Sequence, residues 1–291
     1  VGALVPPGGH HLGGDGEVSL RYGKLTLRAA KDVVVGNGGG LRNERGAIDV
    51  EAGRHVRFTA GSTTTDGVIE NGSGSIRVVA GDSVILTGFN AAGATIPGNA
   101  AIRTRGLLGF DDLGRETRTN GGSLFVWARR GDVDAGLGNR WLQPGGLVPD
   151  GAFDPMPVFR GGIRGIGTEA GGDVTVLAGR DVFTSRSSRH SGGSASCLAP
   201  DPFGSGVGYD GSHIGTFGGP VVWDYDDEGF ERPRPLEGGG SSSLTVVAGR
   251  NLTGDFMARN GKAVLRAGYD VLDAAPPGAT DVETLPVSTA P

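Results

Sequence analysis

Short stretches in which apolar and polar residues alternate recur along this chain, and each ends at an alanine. The alanine is followed by Gly-x-Asp/Asn or a variant of it, and then by a further apolar residue. Alternation of this kind predicts a strand with one buried face, and the Gly-x-Asp step predicts a corner before the next strand. The alanines of the seven copies are Ala29, Ala52, Ala80, Ala128, Ala178, Ala248 and Ala267.

The spacing of these alanines predicts how the copies assemble. It ranges from 19 residues between Ala248 and Ala267 to 70 residues between Ala178 and Ala248. A bare unit of the shortest length suits three short strands and three corners, whereas helical repeats need about 33 residues or more. One unit cannot bury its apolar row alone, so the units must stack. We therefore predict an all-β fold, a right-handed parallel β-helix (β-solenoid) of roughly eight coils with long inserted loops.

The same alignment predicts the interior and the extent of the stack. Ala52, Ala178 and Ala248 are expected in a narrow interior, beside Val176 and Val246. Residues 1–291 are interpreted as a single β-solenoid domain, because a solenoid grows along one axis and keeps a thin core. Its irregular parts are the termini, 1–16 and 275–291, and a long surface excursion at about 186–240.

Two stretches of the chain carry a family resemblance. GGDVTVLAGRDV, which begins at Gly171, and SLTVVAGRNLTGDFMARNGKAVLRAGYDV, which begins at Ser243, resemble the repeats of filamentous haemagglutinin and its two-partner-secreted relatives. The resemblance covers about half of the chain, and the long inserted segments depart from it. It implies a secreted bacterial right-handed parallel β-helix with an adhesive or surface-structural role and no catalytic residues.

Composition narrows the class of protein further. The 57 glycines have no collagen period and accompany regular Val/Leu/Ile rows, which favours a many-cornered fold over disorder. A net charge of −5 without a basic stripe argues against nucleic acid as a partner. Cys197, the single cysteine, can form no internal disulfide. No apolar run is long enough to span a membrane, and residues 1–16 lack the features of a signal peptide, so an export signal is expected elsewhere.

An acidic run within the long excursion is a candidate metal site. Its carboxylates are Asp224, Asp226, Asp227 and Glu228, and Ca²⁺ prefers oxygen ligands of this kind. The run lacks the spacing and the glycine of an EF-hand loop, and charge runs commonly form solvated loop faces. The excursion is nevertheless the segment in which we expect a partner surface, because long loops in compact domains are usually functional or disordered.

A second candidate is the tripeptide Arg130-Gly131-Asp132, a sequence that integrin ligands share. It would fit an adhesin. It also falls on the corner of the repeat itself, where Ala-Gly-Arg-Asp-Val has become Ala-Arg-Arg-Gly-Asp-Val, and short motifs often occur by chance. The sequence favours the chance interpretation.

The corner position of the repeat forms a third candidate, because stacking would align its side chains about 4.8 Å apart. Carboxylates at such spacing could bind Ca²⁺ or act as acid and base. The alternative is that each side chain caps the backbone N–H groups of its own turn, which a serine and a histidine in the column favour. The residues at this position are Asp32, His55, Ser83, Asp132, Asp181, Asn251 and Asp270.

Together these patterns predict a secreted cell-surface structural or adhesive β-solenoid, part of an extracellular fibre or filament, and not an enzyme. The alternative is a polysaccharide-binding or polysaccharide-cleaving β-helix enzyme, a function known on similar folds. The expected partners are the protein itself, end to end, or neighbouring coils of a longer chain, together with surface glycans or receptors on other cells. No cofactor is expected, apart from Ca²⁺ as the ion that the acidic run would suit.

Overall fold

A computed structural model shows an all-β protein. The structure describes residues 10–12, 17–36, 39–59, 67–89, 95–96, 100–136, 165–184, 213–225, 231–236, 240–254, 256–258, 260–268 and 270–273. These residues form 28 strands, numbered β1 to β28 in chain order, and no helix. The described ranges therefore contain no helix that could cross a membrane.

Three long parallel sheets contain most of these strands. Sheet 1 consists of β2 (Glu17–Tyr22), β5 (Gly40–Arg45), β8 (Val68–Ser73), β13 (Ala101–Thr104), β18 (Gly165–Thr168), β21 (His213–Thr216) and β26 (Phe256–Ala258). Sheet 2 consists of β3 (Leu25–Ala29), β6 (Ile48–Ala52), β9 (Ile76–Ala80), β16 (Leu124–Ala128), β19 (Val174–Ala178), β24 (Ser242–Ala248) and β27 (Gly261–Ala267). Sheet 3 consists of β1 (His10–Leu12), β4 (Val33–Val35), β7 (Val56–Phe58), β10 (Val84–Ile85), β17 (Val133–Asp134), β20 (Val182–Phe183), β25 (Asn251–Gly254) and β28 (Asp270–Asp273).

The chain visits the three sheets in rotation. After β1, each passage runs through sheet 1, sheet 2 and sheet 3, and each strand pairs in parallel with the strand of the next passage. We call one such passage a coil. The predicted all-β class and the stack of parallel strands are confirmed, and the arrangement is consistent with a β-solenoid.

The seven alanines of the repeat lie directly opposite one another in sheet 2. Each is the Cα partner of the next, from Ala29 to Ala267. Ala52, Ala178 and Ala248 are buried, with 2%, 8% and 3% of their surface exposed. The sequence alignment therefore predicted both the register of sheet 2 and the inward direction of these side chains.

One aliphatic core runs along the inside of the stack. The alternation in sheet 2 points every second side chain inward, and these residues join valines and isoleucines from sheets 1 and 3 in a single cluster. Complete burial of such a side chain contributes about 1.5 to 3 kcal/mol. Residues of the central rows with no exposed surface include Val50, Val78, Val126, Val176, Val246, Ile69, Ile102, Ile166 and Ile214.

Two of the three corners of each coil differ in how much their lengths vary. The alanine corner, the turn from sheet 2 to sheet 3 that follows each alanine, keeps nearly constant length. It runs from Ala52 to Val56, for example, and gains one residue only between Ala128 and Val133. The hairpin corner, the turn from sheet 1 to sheet 2, ranges from a few residues to long insertions, such as the one between Thr104 and Leu124.

Glycines fill positions where successive coils approach closely. A Cβ on Gly53 would lie 2.0 Å from the carbonyl oxygen of Ala30, and one on Gly81 would lie 2.0 Å from that of Gly53. At the hairpin corner, Gly46 and Gly74 combine similar crowding with positive φ angles of 126° and 115°. Stacking therefore accounts for part of the high glycine content, because any side chain there would meet the backbone of the preceding coil.

Insertions at the hairpin corner form a fourth, antiparallel sheet. One hairpin is β14 (Leu107–Phe110) with β15 (Glu116–Thr119), and the other is β22 (Val221–Tyr225) with β23 (Glu231–Pro235). Strands β15 and β22 pair with each other, so the hairpins of two different coils make sheet 4 in the order β14-β15-β22-β23. A small antiparallel pair, β11 (Gly88–Phe89) with β12 (Thr95–Ile96), comes directly after strand β10 of sheet 3 along the chain.

The long excursion predicted at about 186–240 contains more regular structure than expected. Residues His213–Thr216 return to sheet 1 as β21, and the strands β22 and β23 belong to sheet 4. Strand β21 is not predicted by the sequence, because HIGT is too short to show an alternating pattern. Residues 185–212 and the tail 275–291 lie outside the described residues, as do residues 1–9 and 13–16 of the other terminus.

Candidate binding surfaces

The corner side chains form a continuous hydrogen-bonded column along the alanine corner. The Asp32 carboxylate accepts from the backbone N–H of His55 at 3.3 Å, and the His55 ring accepts from that of Ser83 at 3.3 Å. The Ser83 hydroxyl accepts in turn from the N–H of Asp132 at 3.1 Å. The Asp132 carboxylate accepts from Asp181 N–H at 3.1 Å.

This column differs from the predicted capping in one respect. Asp181 accepts from the N–H of Asn251 at 3.1 Å, again one coil further on. Each of these five side chains therefore caps the corner of the following coil rather than its own turn. Asp, Asn, Ser and the imidazole of His can all accept a hydrogen bond, which explains why these residue types replace one another in the column.

Arginines reinforce the column from outside. Arg54 donates two hydrogen bonds to Asp32, at 3.0 and 2.6 Å, and Arg250 donates to Asp181 four corners later. Burial would raise the pKa of Asp32, but the hydrogen bonds from Arg54 and from the N–H of His55 outweigh it and hold the pKa below its usual value. These carboxylates are saturated by donors from the next coil, which is a structural arrangement rather than a vacant metal or acid–base site.

The tripeptide Arg130-Gly131-Asp132 belongs to the same column. Arg130 donates to Asp82 of the preceding coil at 2.9 Å, and this hydrogen bond lowers the pKa of Asp82. Asp132 accepts from Arg180 of the following coil at 3.1 and 2.5 Å, and 23% of its side-chain surface is exposed. A receptor that binds all three residues would have to displace Arg180 first. The geometry favours the corner interpretation over an adhesion motif.

The acidic run falls largely outside the described residues. Asp224 lies in strand β22 of sheet 4, and Asp226, Asp227 and Glu228 are not among the residues that the structure describes. Within the described ranges, no three His, Cys, Asp or Glu residues are placed so that they could hold a metal ion. The Ca²⁺ hypothesis for this run stays a prediction.

A buried polar column inside sheet 1 was not predicted from the sequence. Asn43, Asn71, Thr104, Thr168 and Thr216 are register partners in successive strands, and each has at most 3% of its surface exposed. Their side chains donate to backbone carbonyls of the hairpin corner. The signal that could have revealed them is a polar residue five positions before the strand of sheet 2, as in Asn43 before Ile48 and Asn71 before Ile76.

This polar column closes the base of the inserted hairpin. The Thr104 hydroxyl donates to the carbonyl of Gly122 at 2.8 Å, so the two residues bracket strands β14 and β15. In a coil without an insertion, Asn71 donates to its own coil at Ser75, 3.3 Å away, and to Gly46 of the preceding coil at 2.8 Å. These hydrogen bonds form a clamp that fixes the two ends of the hairpin corner. The length of the segment between the two ends can therefore vary.

The first hairpin exposes apolar side chains. Leu108, Phe110 and Leu113 are 52%, 69% and 77% exposed. Leu108 and Phe110 lie on β14, which is an edge strand of sheet 4. Exposed apolar edges of this kind are potential pairing sites.

A shallow groove crosses the alanine corners that follow β3, β6 and β9. Its volume is about 570 Å³. Large charged side chains form its walls, whereas small residues from three coils form its floor. The walls are Arg28, Glu51, Arg129 and Arg130, and the floor consists of Ala29, Ala30, Ala52, Gly53, Val79 and Gly81.

One irregular copy of the repeat creates a wall of this groove. Arg129 occupies the place that Gly53 and Gly81 have in the preceding coils, as the backbone hydrogen bond from its N–H to Ala80 shows. Its guanidinium carbon lies 5.0 Å from the centre of the Trp127 ring. A cation–π contact of this kind holds the long side chain in place beside the corner.

The charges of the groove are only partly neutralised. Glu51 lies 4.0 Å from Arg28 and 3.6 Å from Arg129, which makes two ion pairs without a hydrogen bond. Arg28 and Arg129 keep 67% and 47% of their side-chain surface exposed, so guanidinium donors face solvent. Arg130 is paired with Asp82, outside the groove. Among the described residues that line the groove, Glu51 is the single carboxylate, whereas most glycoside hydrolases use two.

Comparison of the chain with known protein families, with curated proteins and with solved structures finds no match in any of the three. The likeness to haemagglutinin repeats therefore rests on the repeat pattern itself.

Proposed function

We propose that this protein is a secreted structural and adhesive β-solenoid of the bacterial cell surface and forms part of an extracellular fibre. The observation that carries the proposal is the coil-to-coil register of sheets 1, 2 and 3, which the corner column continues on the outside. Each coil contacts its neighbours through the same backbone and side-chain bonds, as the units of an elongated protein do. The similarity of the repeat to filamentous haemagglutinin supports the same function.

The finer architecture belongs to this proposal. The solenoid is right-handed, because crossover connections between parallel strands almost always are, and it has roughly eight coils. Its partners are further coils, either of a longer chain or of a second copy placed end to end, since the strands at the end of a stack leave backbone groups to be paired. Such head-to-tail contacts do not close, so they produce filaments. The protein acts by binding and not by catalysis.

Surface labelling tests the location directly. Antibodies raised against the 291-residue chain are applied to intact producing cells and to permeabilised ones. Labelling of intact cells, and its loss after brief external protease treatment, are expected. Labelling only after permeabilisation would contradict the proposal.

Electron microscopy with light scattering across a concentration series tests the fibre. The purified chain is expected to form elongated particles whose mass grows with concentration. Particles that remain monomeric at every concentration would rule out assembly of separate copies and leave only coils of a longer chain as partners.

A further inference from the structure

We propose that the groove between Arg28, Glu51, Arg129 and Arg130 binds an acidic polysaccharide, through a carboxylate or sulfate group on the sugar. The inference rests on the proposed function, because it names the class of ligand that the adhesive surface recognises.

The arginines of the groove supply the recognition of an anion. Arg28 and Arg129 share the carboxylate of Glu51 at 4.0 and 3.6 Å, distances at which neither donates a hydrogen bond to it. Their planar guanidinium groups match the geometry of a carboxylate or sulfate, and charge-assisted hydrogen bonds of this kind are about twice as strong as neutral ones. The walls therefore keep donors and one net positive charge for a ligand, although the chain as a whole carries −5.

The floor of the groove suits the face of a sugar ring. Ala30 is exposed and presents its methyl group, and Gly53 presents bare backbone, whereas the methyl groups of Ala29 and Ala52 point into the core. A pyranose ring has an apolar face of C–H groups and a polar rim, so it can rest on such a floor while its acidic group meets the walls. Ligand sites commonly combine an apolar lining with a few placed polar groups in this way.

An extended acidic peptide fits the groove less well. Peptides usually gain affinity by pairing their backbone with a free strand edge. Here the backbone of the floor is already paired between coils, since Gly53 N–H donates to Ala29 at 2.8 Å and Gly81 N–H donates to Ala52 at 2.9 Å. Recognition must therefore come from side chains, which favours a ligand that displays its charges on rigid rings.

Preorganisation of the wall supports the same conclusion. Trp127 holds the guanidinium of Arg129 at 5.0 Å, and Phe125 contacts Trp127 edge to face with the ring centres 6.4 Å apart. A side chain that is already ordered loses little freedom when a ligand binds. Neither aromatic residue lines the groove, so their effect on binding is to position Arg129.

Titration calorimetry of the 291-residue chain with four polymers tests the proposal: polygalacturonate, dextran sulfate, neutral dextran and polyglutamate. We expect binding to polygalacturonate or dextran sulfate that weakens as salt is raised, and no binding to neutral dextran or polyglutamate. Whichever of the two acidic polymers binds identifies the anionic group as carboxylate or sulfate.

Two groove variants and a matched control locate the site. Arg129→Gln is expected to weaken binding about tenfold or more, and Arg28→Gln several-fold, because each removes charged donors. Arg266→Gln is the control: Arg266 is exposed and lies in the same outward row of sheet 2 as Arg28, six strands away. The Arg266→Gln variant is expected to bind the acidic polymer with the same affinity as the wild type.

Several results would overturn the proposal. These are no binding to either acidic polysaccharide, equal binding of polyglutamate, or equal weakening by the Arg266 control. If Arg129→Gln perturbs folding, Arg28→Gln decides alone, because Arg28 is largely exposed and its ion pair among the described residues is the long one to Glu51. If antibodies detect the chain on intact cells but the purified chain binds neither acidic polymer, this inference is refuted and the proposed function is unaffected.

Discussion

The alanine corner and the hairpin corner of the same stack follow opposite rules. At the alanine corner, side chains such as Asp132 bond to the next coil, and the turn keeps its length with one exception of a single residue. At the hairpin corner, side chains such as Thr104 clamp the two ends of the turn, and whole hairpins are inserted between them. Bonds between coils also occur at the hairpin corner, as from Asn71 to Gly46, but they hold the ends of the turn, so the stretch between the ends can vary in length.

The largest expected loss of stability comes from an insertion into the alanine corner, compared with a matched insertion into the hairpin corner. Two residues placed between Gly179 and Arg180 would move Arg180 and Asp181 away from Asp132, and the bonds to the neighbouring coils would be lost. We expect destabilisation on the order of 3 kcal/mol, measured by denaturant unfolding. The matched insertion after Leu113, in the exposed turn of the first hairpin, should change stability by less than about 0.5 kcal/mol. Equal effects at both places would refute the comparison.

A methyl group tests the close approach of coils at the alanine corner. In Gly53→Ala the new Cβ would lie 2.0 Å from the backbone oxygen of Ala30, so the coils must shift apart. Overpacking of this kind costs about 1 to 3 kcal/mol. Gly240→Ala is the control, because nothing lies within 4 Å of its added Cβ and it should leave the melting temperature nearly unchanged. Unchanged melting of the Gly53 variant would show that the coils are not in contact there.

Lowering the pH should remove part of the stability that the corner column contributes to the fold. Asp32→Ala loses the acceptor of the His55 N–H and is expected to cost about 1 kcal/mol at pH 7, with little from Arg54, whose side chain is 54% exposed. The pKa of Asp32 is lower in the folded state than its usual 3.8, so its stabilisation is present above that pH and is lost as pH falls through the folded pKa. The difference in free energy of unfolding between wild type and variant, measured by denaturant unfolding, should therefore decrease below pH 3.8. Asp112→Ala, in the exposed hairpin turn, serves as the control.

The smallest effect concerns a carboxylate beside the corner column. Asp134 is 6% exposed, and burial raises its pKa above 3.8. Because the folded pKa is raised, ionisation destabilises the protein as pH rises through 3.8 and the folded pKa. Asp134→Asn keeps an acceptor for the Gly136 N–H, at 2.8 Å in the wild type, and should stabilise the protein at pH 7 by less than about 1 kcal/mol. A variant that is less stable at pH 7 would contradict this account.

The sequence predicted sheet 2 well because its signal is local. Each alanine ends a complete alternating strand, so aligning Ala178 with Ala248 also aligned the strands, and the structure pairs them residue by residue. The inward side chains followed from the same period of two. The corner column was visible as a position, but its bonding partners were not, because they lie one coil away: Asp181, for example, meets Asn251.

Sheet 4 and the groove could not be predicted in the same way. Sheet 4 depends on the pairing of Thr117 with Val222, residues from different coils whose strands show no shared pattern. The groove depends on how far the side chains of Arg28 and Arg129 reach over small neighbours, which a repeat alignment records only as one irregular copy. Both features arise from contacts between departures from the repeat, and the repeat itself carries no information about them.

Spin-label distances test the central claim, the register of the stacked coils, most directly. Cysteines are introduced at Thr175 and Thr245, outward Cα partners in adjacent strands, in a chain whose natural Cys197 is replaced by serine. The stacked register predicts strong dipolar broadening, since neighbouring strands lie about 4.8 Å apart. A control pair at Thr26 and Thr245, five strands apart in the same row, should show almost none. Absence of broadening in the first pair, or equal spectra for both pairs, would contradict the stacked register.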